Sequence, residues 1–155
     1  MDEKIAVLIA AATPVIEVRG SIPLGLGMGL DPVKVFLISV VGSLIPVFPV
    51  LWFLNFLTKD LRKIKLFDRF FEWLFNRTRA RSELIEKYET LGLALFVAVP
   101  LPVTGVWTGC VAAYLFGLSW RNTFLAVMAG TTIASIIVTA IFTVGAWGLA
   151  GFFHL

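Results

Sequence analysis

The chain has 155 residues and a mass of 17.1 kDa, with 59% hydrophobic residues, 15% charged residues and a mean hydropathy of +0.93. A soluble domain carries roughly 25% charged residues, so this composition excludes an ordinary globular protein and places the chain in a bilayer. A small, uneven net charge of +3 excludes nucleic-acid-binding and disordered classes, while one cysteine (Cys110) and one histidine (His154) exclude an internal disulfide and a His- or Cys-based metal centre.

The chain opens on Asp2 and Glu3, without the basic start of a cleavable signal. Residues 5 to 28 are apolar but punctuated by Pro14, Gly20, Pro23, Gly25 and Gly27, and residues 33 to 57 form a longer run interrupted by Pro46 and Pro49. Nine of the 13 Lys and Arg then fall between residues 59 and 90. On a helical period, Ile64, Phe67, Phe70, Phe71, Leu74 and Phe75 share one face of this segment, opposite Arg62, Lys65, Arg69, Glu72 and Asn76. That is the pattern of an amphipathic helix lying on an anionic cytoplasmic leaflet. The second apolar block repeats the first: residues 91 to 116 are broken at Pro100, Pro102, Gly105 and Gly109, and residues 122 to 153 are nearly uncharged.

An offset of 88 aligns the two blocks without a gap from residue 5 to residue 50, with 12 identical pairs in those 46 positions. They include Pro14/Pro102, Val18/Val106, Gly29/Gly117, Leu30/Leu118 and Gly42/Gly130. Matched punctuation argues for a duplicated unit, and duplicated halves with a broken helix in each are a recurring transporter plan. The expected fold is an all-α integral membrane protein, a single domain over 1–155. It has a first repeat over 5–57, a basic amphipathic linker over 58–90 and a second repeat over 91–153, the two repeats inverted. Each repeat is a re-entrant helix hairpin followed by one transmembrane helix, with the linker cytoplasmic and both termini external. Four full crossings with both termini inside is the alternative.

The chemistry concentrates at Glu17 and Arg19, two ionisable residues inside a hydrophobic segment where a charge facing lipid costs several kcal/mol. On a regular helix they would point apart, whereas an irregular loop lets both face one cavity. There the carboxylate is suited to carry a proton, and the guanidinium offers a planar fork for a phosphate or carboxylate. A mutually neutralised pair that only pins the loop is the structural alternative. The second break supplies Thr104 and Thr108 as hydrogen-bonding groups and Trp107 as a stacking surface, with Gly105 and Gly109 permitting close backbone approach.

The strings Glu17-Val-Arg-Gly-Ser-Ile-Pro-Leu-Gly-Leu-Gly27 and Pro100-Leu-Pro-Val-Thr-Gly-Val-Trp-Thr-Gly109 resemble the two signature motifs of the small multidrug export protein family. That family is similar to the DedA-type membrane proteins, several of which move lipids across bilayers. The resemblance implies paired re-entrant hairpins and membrane transport. It marks Glu17, Arg19, Pro23, Pro102, Thr104, Gly105, Trp107, Thr108 and Gly109 as motif positions. DedA-type proteins carry arginines in their second half as well, whereas here the nearest is Arg121, beyond the second hairpin.

The functional expectation is a small secondary transporter in the cytoplasmic membrane, multi-pass and proton-coupled through Glu17. It would move an amphipathic or lipid-like substrate whose anionic headgroup meets Arg19, Thr104, Trp107 and Thr108. Export of hydrophobic cations, energy-independent lipid scrambling and a structural role are the alternatives. No nucleophile, base and oxyanion set stands out, and no nucleotide motif is present, so neither an enzyme nor a cofactor is expected. The expected partners are membrane lipids, an amphipathic small molecule or lipid phosphate, and a second copy of the chain as a homodimer.

Overall fold

The computed structural model describes residues 2–61, 63, 65, 68–69, 72, 83–100 and 104–153. Among these residues lie seven helices and no strand: α1 (Glu3–Ala12), α2 (Glu17–Gly27), α3 (Pro32–Leu44), α4 (Val47–Leu61), α5 (Glu83–Ala98), α6 (Val106–Leu115) and α7 (Trp120–Phe153). The amphipathic helix expected within 58–90 lies largely outside the described residues, as do Pro102 and His154.

Local chemistry sets the helix ends. The Asp2 carboxylate caps α1 by accepting the Lys4 N–H at 3.2 Å, and the Thr13 hydroxyl closes the helix by donating to the Ala10 carbonyl at 2.7 Å. Pro14 cannot continue the ladder, and the chain turns through Ile16 before α2 begins at Glu17. Gly20 and Pro23, expected to contribute to this break, lie instead inside α2. A Cβ on Gly20 would collide with the Ile16 side chain, and its N–H donates to the Ile16 carbonyl at 2.9 Å, so this glycine permits a close turn into the helix. Pro23 is tolerated because packing of Ile22 and Gly25 holds α2 against its neighbours despite one missing N–H.

The two halves end their second helices alike. Gly29 and Gly117 take left-handed backbone, φ +79° and +71°, which glycine adopts without strain. In both turns the glycine N–H bonds three residues back, Gly29 to Leu26 and Gly117 to Tyr114. The next leucine bonds five back, Leu30 to Gly25 and Leu118 to Ala113. This is a Schellman-type cap, repeated at an interval of 88 residues. Asp31 then caps α3, with Pro32 in its first turn, where no N–H is needed. Pro46 interrupts the long apolar run between α3 and α4, whereas Pro49 sits harmlessly in the first turn of α4.

The glycines that pack the long helices keep the same interval, although the residues they meet do not. α1 lies on α3 and α5 lies on α7, each pair brought close by a glycine. A Cβ on Gly42 would stand 2.8 Å from the Leu8 carbonyl oxygen, and one on Gly130 would stand 2.5 Å from that of Ala94. The second helix of each pair crosses to the other half. α2 packs on α7 through Val18, Ile22, Ala134 and Val138, and α6 packs on α4 through Val106, Cys110, Val47 and Val50.

Polarity is turned inward. Ser21, Ser39, Ser43, Thr123, Thr131 and Ser135 are buried between helices, while Val33, Leu37, Val41, Ile45, Phe48 and Trp52 form an exposed apolar stripe along α3 and α4. Small polar groups inside and large apolar groups outside suit a hydrocarbon solvent. Residues Pro32–Leu57 and Trp120–Gly145 are each long and apolar enough to cross a membrane.

Candidate functional site

The turn after α1 delivers Glu17 into the protein with its backbone at φ +45°, a left-handed conformation that a non-glycine residue adopts at some cost. Its side chain is buried, and its carboxylate lies at the start of α6. Oε1 accepts the Trp107 backbone N–H at 3.3 Å, and Oε2 stands 3.5 Å from Arg19 Nη1. The first N–H groups of a helix have no intrahelical acceptor and carry its positive dipole end, so the carboxylate satisfies a donor and complements a field.

Arg19, in the first turn of α2, reaches the other side of the same break. Its Nη2 donates to the Val99 carbonyl at 3.2 Å and to Thr104 Oγ1 at 3.0 Å, and the Thr104 hydroxyl itself donates to the Val99 carbonyl. Val99 directly follows α5, where carbonyls lack intrahelical donors and the dipole is negative. The acid of the first half therefore meets the positive end of α6, and its base meets the negative end of α5. One ion pair holds both sides of the second break.

The remaining predicted residues are arranged around this pair. Gly105 precedes α6, and a Cβ there would come within 2.7 Å of Glu17 Cδ and Oε1, and closer still to Oε2. Its backbone is extended, so the glycine is needed for room. Thr108 does not reach the ion pair: its hydroxyl accepts the Gly105 N–H at 2.9 Å and donates to the Gly105 carbonyl, closing the first turn of α6. Trp107 contributes its backbone to Glu17, while its indole Nε1 is buried without a hydrogen-bond partner, as is Arg19 Nε. Gly109 lies inside α6, where a Cβ would stand 2.7 Å from Val97 Cγ2. Pro14 lies in the first break and Pro100 at the start of the second. Sequence reasoning missed Val99, which acts through its carbonyl and so leaves no side-chain signal. Among the described residues no cluster of His, Cys, Asp and Glu could hold a metal ion.

Chemically, the donors at the α6 N-terminus and the guanidinium are of a kind that suits an oxyanion, and here they hold the protein's own carboxylate. A family model described as "Putative small multi-drug export protein" matches residues 17–137, a stretch that starts at Glu17 and includes the second break. No curated protein and no solved structure matches the chain.

Proposed function

The chain belongs to the small multi-drug export protein family, and we propose that it is a proton-coupled secondary transporter of an amphipathic or lipid-like anion, working in the cell membrane. The observation that carries this reading is the placement of the Glu17 carboxylate between the Trp107 N–H and Arg19. A proton added to Glu17 removes the charge that holds those two donors. An incoming phosphate or carboxylate headgroup then takes them, so proton and anion bind together and move in the same direction. Arg19 spans two partners across the break and has the planar geometry to exchange one of them for an oxyanion.

The reading takes the two halves as inverted repeats, each broken pair a re-entrant hairpin and the basic linker cytoplasmic. The shared interval of 88 residues in the glycine caps, in the helix-packing glycines Gly42 and Gly130 and in the exchanged α2 and α6 contacts supports it. Breaks buried where the halves meet are where substrate sites of such transporters lie. A homodimer is compatible with the exposed apolar stripes, which lipid covers equally well.

The test is flux of dodecyl phosphate into phosphatidylcholine liposomes containing the purified chain, with an imposed pH gradient. Acid on the outside is expected to accelerate uptake. Flux independent of the gradient would make the protein a scramblase. Exchange of tetraphenylphosphonium against protons would make it an exporter of cations, since a cation and a proton compete for one carboxylate.

A further inference from the structure

We propose that the Glu17 carboxylate, the Val99 carbonyl and the Thr104 hydroxyl form a site for a monovalent alkali cation. The Arg19 guanidinium fills this site in the structure, and the ion fills it when Arg19 turns to a headgroup. The exchange rests on the reading of Arg19 as the headgroup-binding residue, whereas the site itself rests on how Arg19 is held.

That hold is unlike an arginine–carboxylate fork. A fork makes two parallel charge-assisted bonds of about 2.7–2.9 Å, whereas Glu17 Oε2 stands 3.5 Å from Nη1. The shorter contacts run from Nη2 to uncharged oxygens, Thr104 Oγ1 at 3.0 Å and the Val99 carbonyl at 3.2 Å. Both nitrogens are bonded to one carbon, so a carboxylate, a hydroxyl and a carbonyl surround a single positive group. Each turns a lone pair towards it. Thr104 does so because its own proton goes to the Val99 carbonyl.

Oxygens of these kinds are the ligands of hard cations. The Val99 carbonyl lies at the negative end of α5, and Pro100 and Pro102 offer that end no N–H, so its last carbonyls stay available as acceptors. Helix C-termini and interrupted backbone hold the coupling ions of transporters built from broken helices. The donors also set the charge of the ion. One carboxylate balances one positive charge, and a divalent ion would leave a surplus beside the guanidinium. An alkali ion is smaller than a guanidinium, and the Arg19 side chain is 19% exposed, so water can complete the ion's shell.

When a headgroup draws Arg19 away, the Glu17 carboxylate loses its counter-charge. A proton restores the balance; an alkali ion does so too, and it also takes the Val99 and Thr104 oxygens, which a proton on Glu17 does not. With a singly charged headgroup, the carboxylate, ion, guanidinium and headgroup sum to zero charge. Ion and anion then favour each other's binding and move together.

The experiment uses the full chain. Arg19→Ala frees the three oxygens without any substrate, and in detergent at mildly alkaline pH, where protons compete least, NaCl or KCl is expected to raise its melting temperature above that in choline chloride of equal concentration. The rise should vanish in Arg19→Ala/Glu17→Gln and shrink in Arg19→Ala/Thr104→Val. Equal melting in the three salts overturns the site, and a rise untouched by Thr104→Val overturns its donor set. The chain carrying Arg19 gives a second measurement that needs no variant to fold. In phosphatidylcholine liposomes with the same pH on both sides, an inward gradient of the preferred ion should accelerate uptake of dodecyl phosphate. That ion should also tighten dodecyl phosphate binding about tenfold over choline, a coupling of ordinary size between two sites. Uptake that follows a pH gradient but is indifferent to alkali ions overturns the exchange and leaves the proton reading in place. If alkali ions stabilise Arg19→Ala while the parent neither binds nor takes up dodecyl phosphate, the anion reading fails and the cation site stands.

Discussion

The Glu17 carboxylate occupies the volume where a side chain on Gly105 would be, and the two residues are counterparts in halves related by 88 positions. Corresponding positions that meet in space lie where the halves face each other, so only one can carry a side chain. Glutamate in the first half obliges glycine in the second. This accounts for the absence of an ionisable group at that position of the second break: the first half supplies the charge for both. Arg19 and Trp107 correspond in the same way, and Trp107 enters the site through its backbone N–H.

Gly105→Ala tests this relationship. The added methyl forces the carboxylate off the start of α6, with an expected cost of about 1–3 kcal/mol, typical of overpacking, together with loss of transport. In a Glu17→Ala background the same substitution should cost nearly nothing, because the colliding group is gone. Chemical or thermal unfolding of the four proteins in detergent gives the coupling energy. Additive effects would mean that the carboxylate is not held against Gly105.

Glu17→Gln separates coupling from binding. The amide keeps the size of the acid and can accept the Trp107 N–H, yet cannot release a proton. Gradient-driven uptake of dodecyl phosphate is expected to disappear, while stabilisation of the detergent-solubilised protein by the same compound persists. Uptake that still follows the pH gradient would take Glu17 out of the coupling step.

The breaks at Pro14 and Pro100 and the charged pair were legible in the sequence because proline and intramembrane charge are costly in apolar helices. Pro14 and Pro100 mark breaks that the structure contains, and Gly29/Gly117 and Gly42/Gly130 mark caps and close contacts. Gly20 and Pro23 misled because the same residue types serve close approach and tolerated kinks inside α2, and packing against α1 and α3 decides between these uses. The partners of Glu17 and Arg19 were not legible. Trp107 and Val99 engage them through backbone atoms, which every residue possesses.

Two glycines in the second half should respond oppositely to alanine. Gly92 lies in α5 with nothing near its missing Cβ, so Gly92→Ala is expected to stabilise by about 0.5–1 kcal/mol through helix propensity and reduced freedom of the unfolded chain. Gly130→Ala places a methyl 2.5 Å from the Ala94 carbonyl oxygen, a backbone atom that cannot swing aside. Its melting temperature should fall. If both alanines raise stability, the close approach of α5 and α7 is wrong.

Arg19→Lys probes what the planar fork does. Arginine holds the Val99 carbonyl and Thr104 from one nitrogen while another faces Glu17, a spread that a single ammonium on a flexible stem cannot reproduce. Lysine should keep the attraction to Glu17 and lose at least one charge-assisted bond across the break, costing about 1–2 kcal/mol at these partly exposed acceptors. Beyond that cost, a headgroup gripped in two places loses affinity when the grip becomes one point. The rise in melting temperature on adding dodecyl phosphate, which scales with the logarithm of ligand concentration over Kd, should therefore shrink in the variant. Measured as a titration on both proteins, the two effects separate: a lower melting temperature without ligand reports the bonds to the break, and a smaller ligand-induced rise reports the headgroup. A variant that starts lower but gains as much from dodecyl phosphate as the parent would assign Arg19 to the break alone.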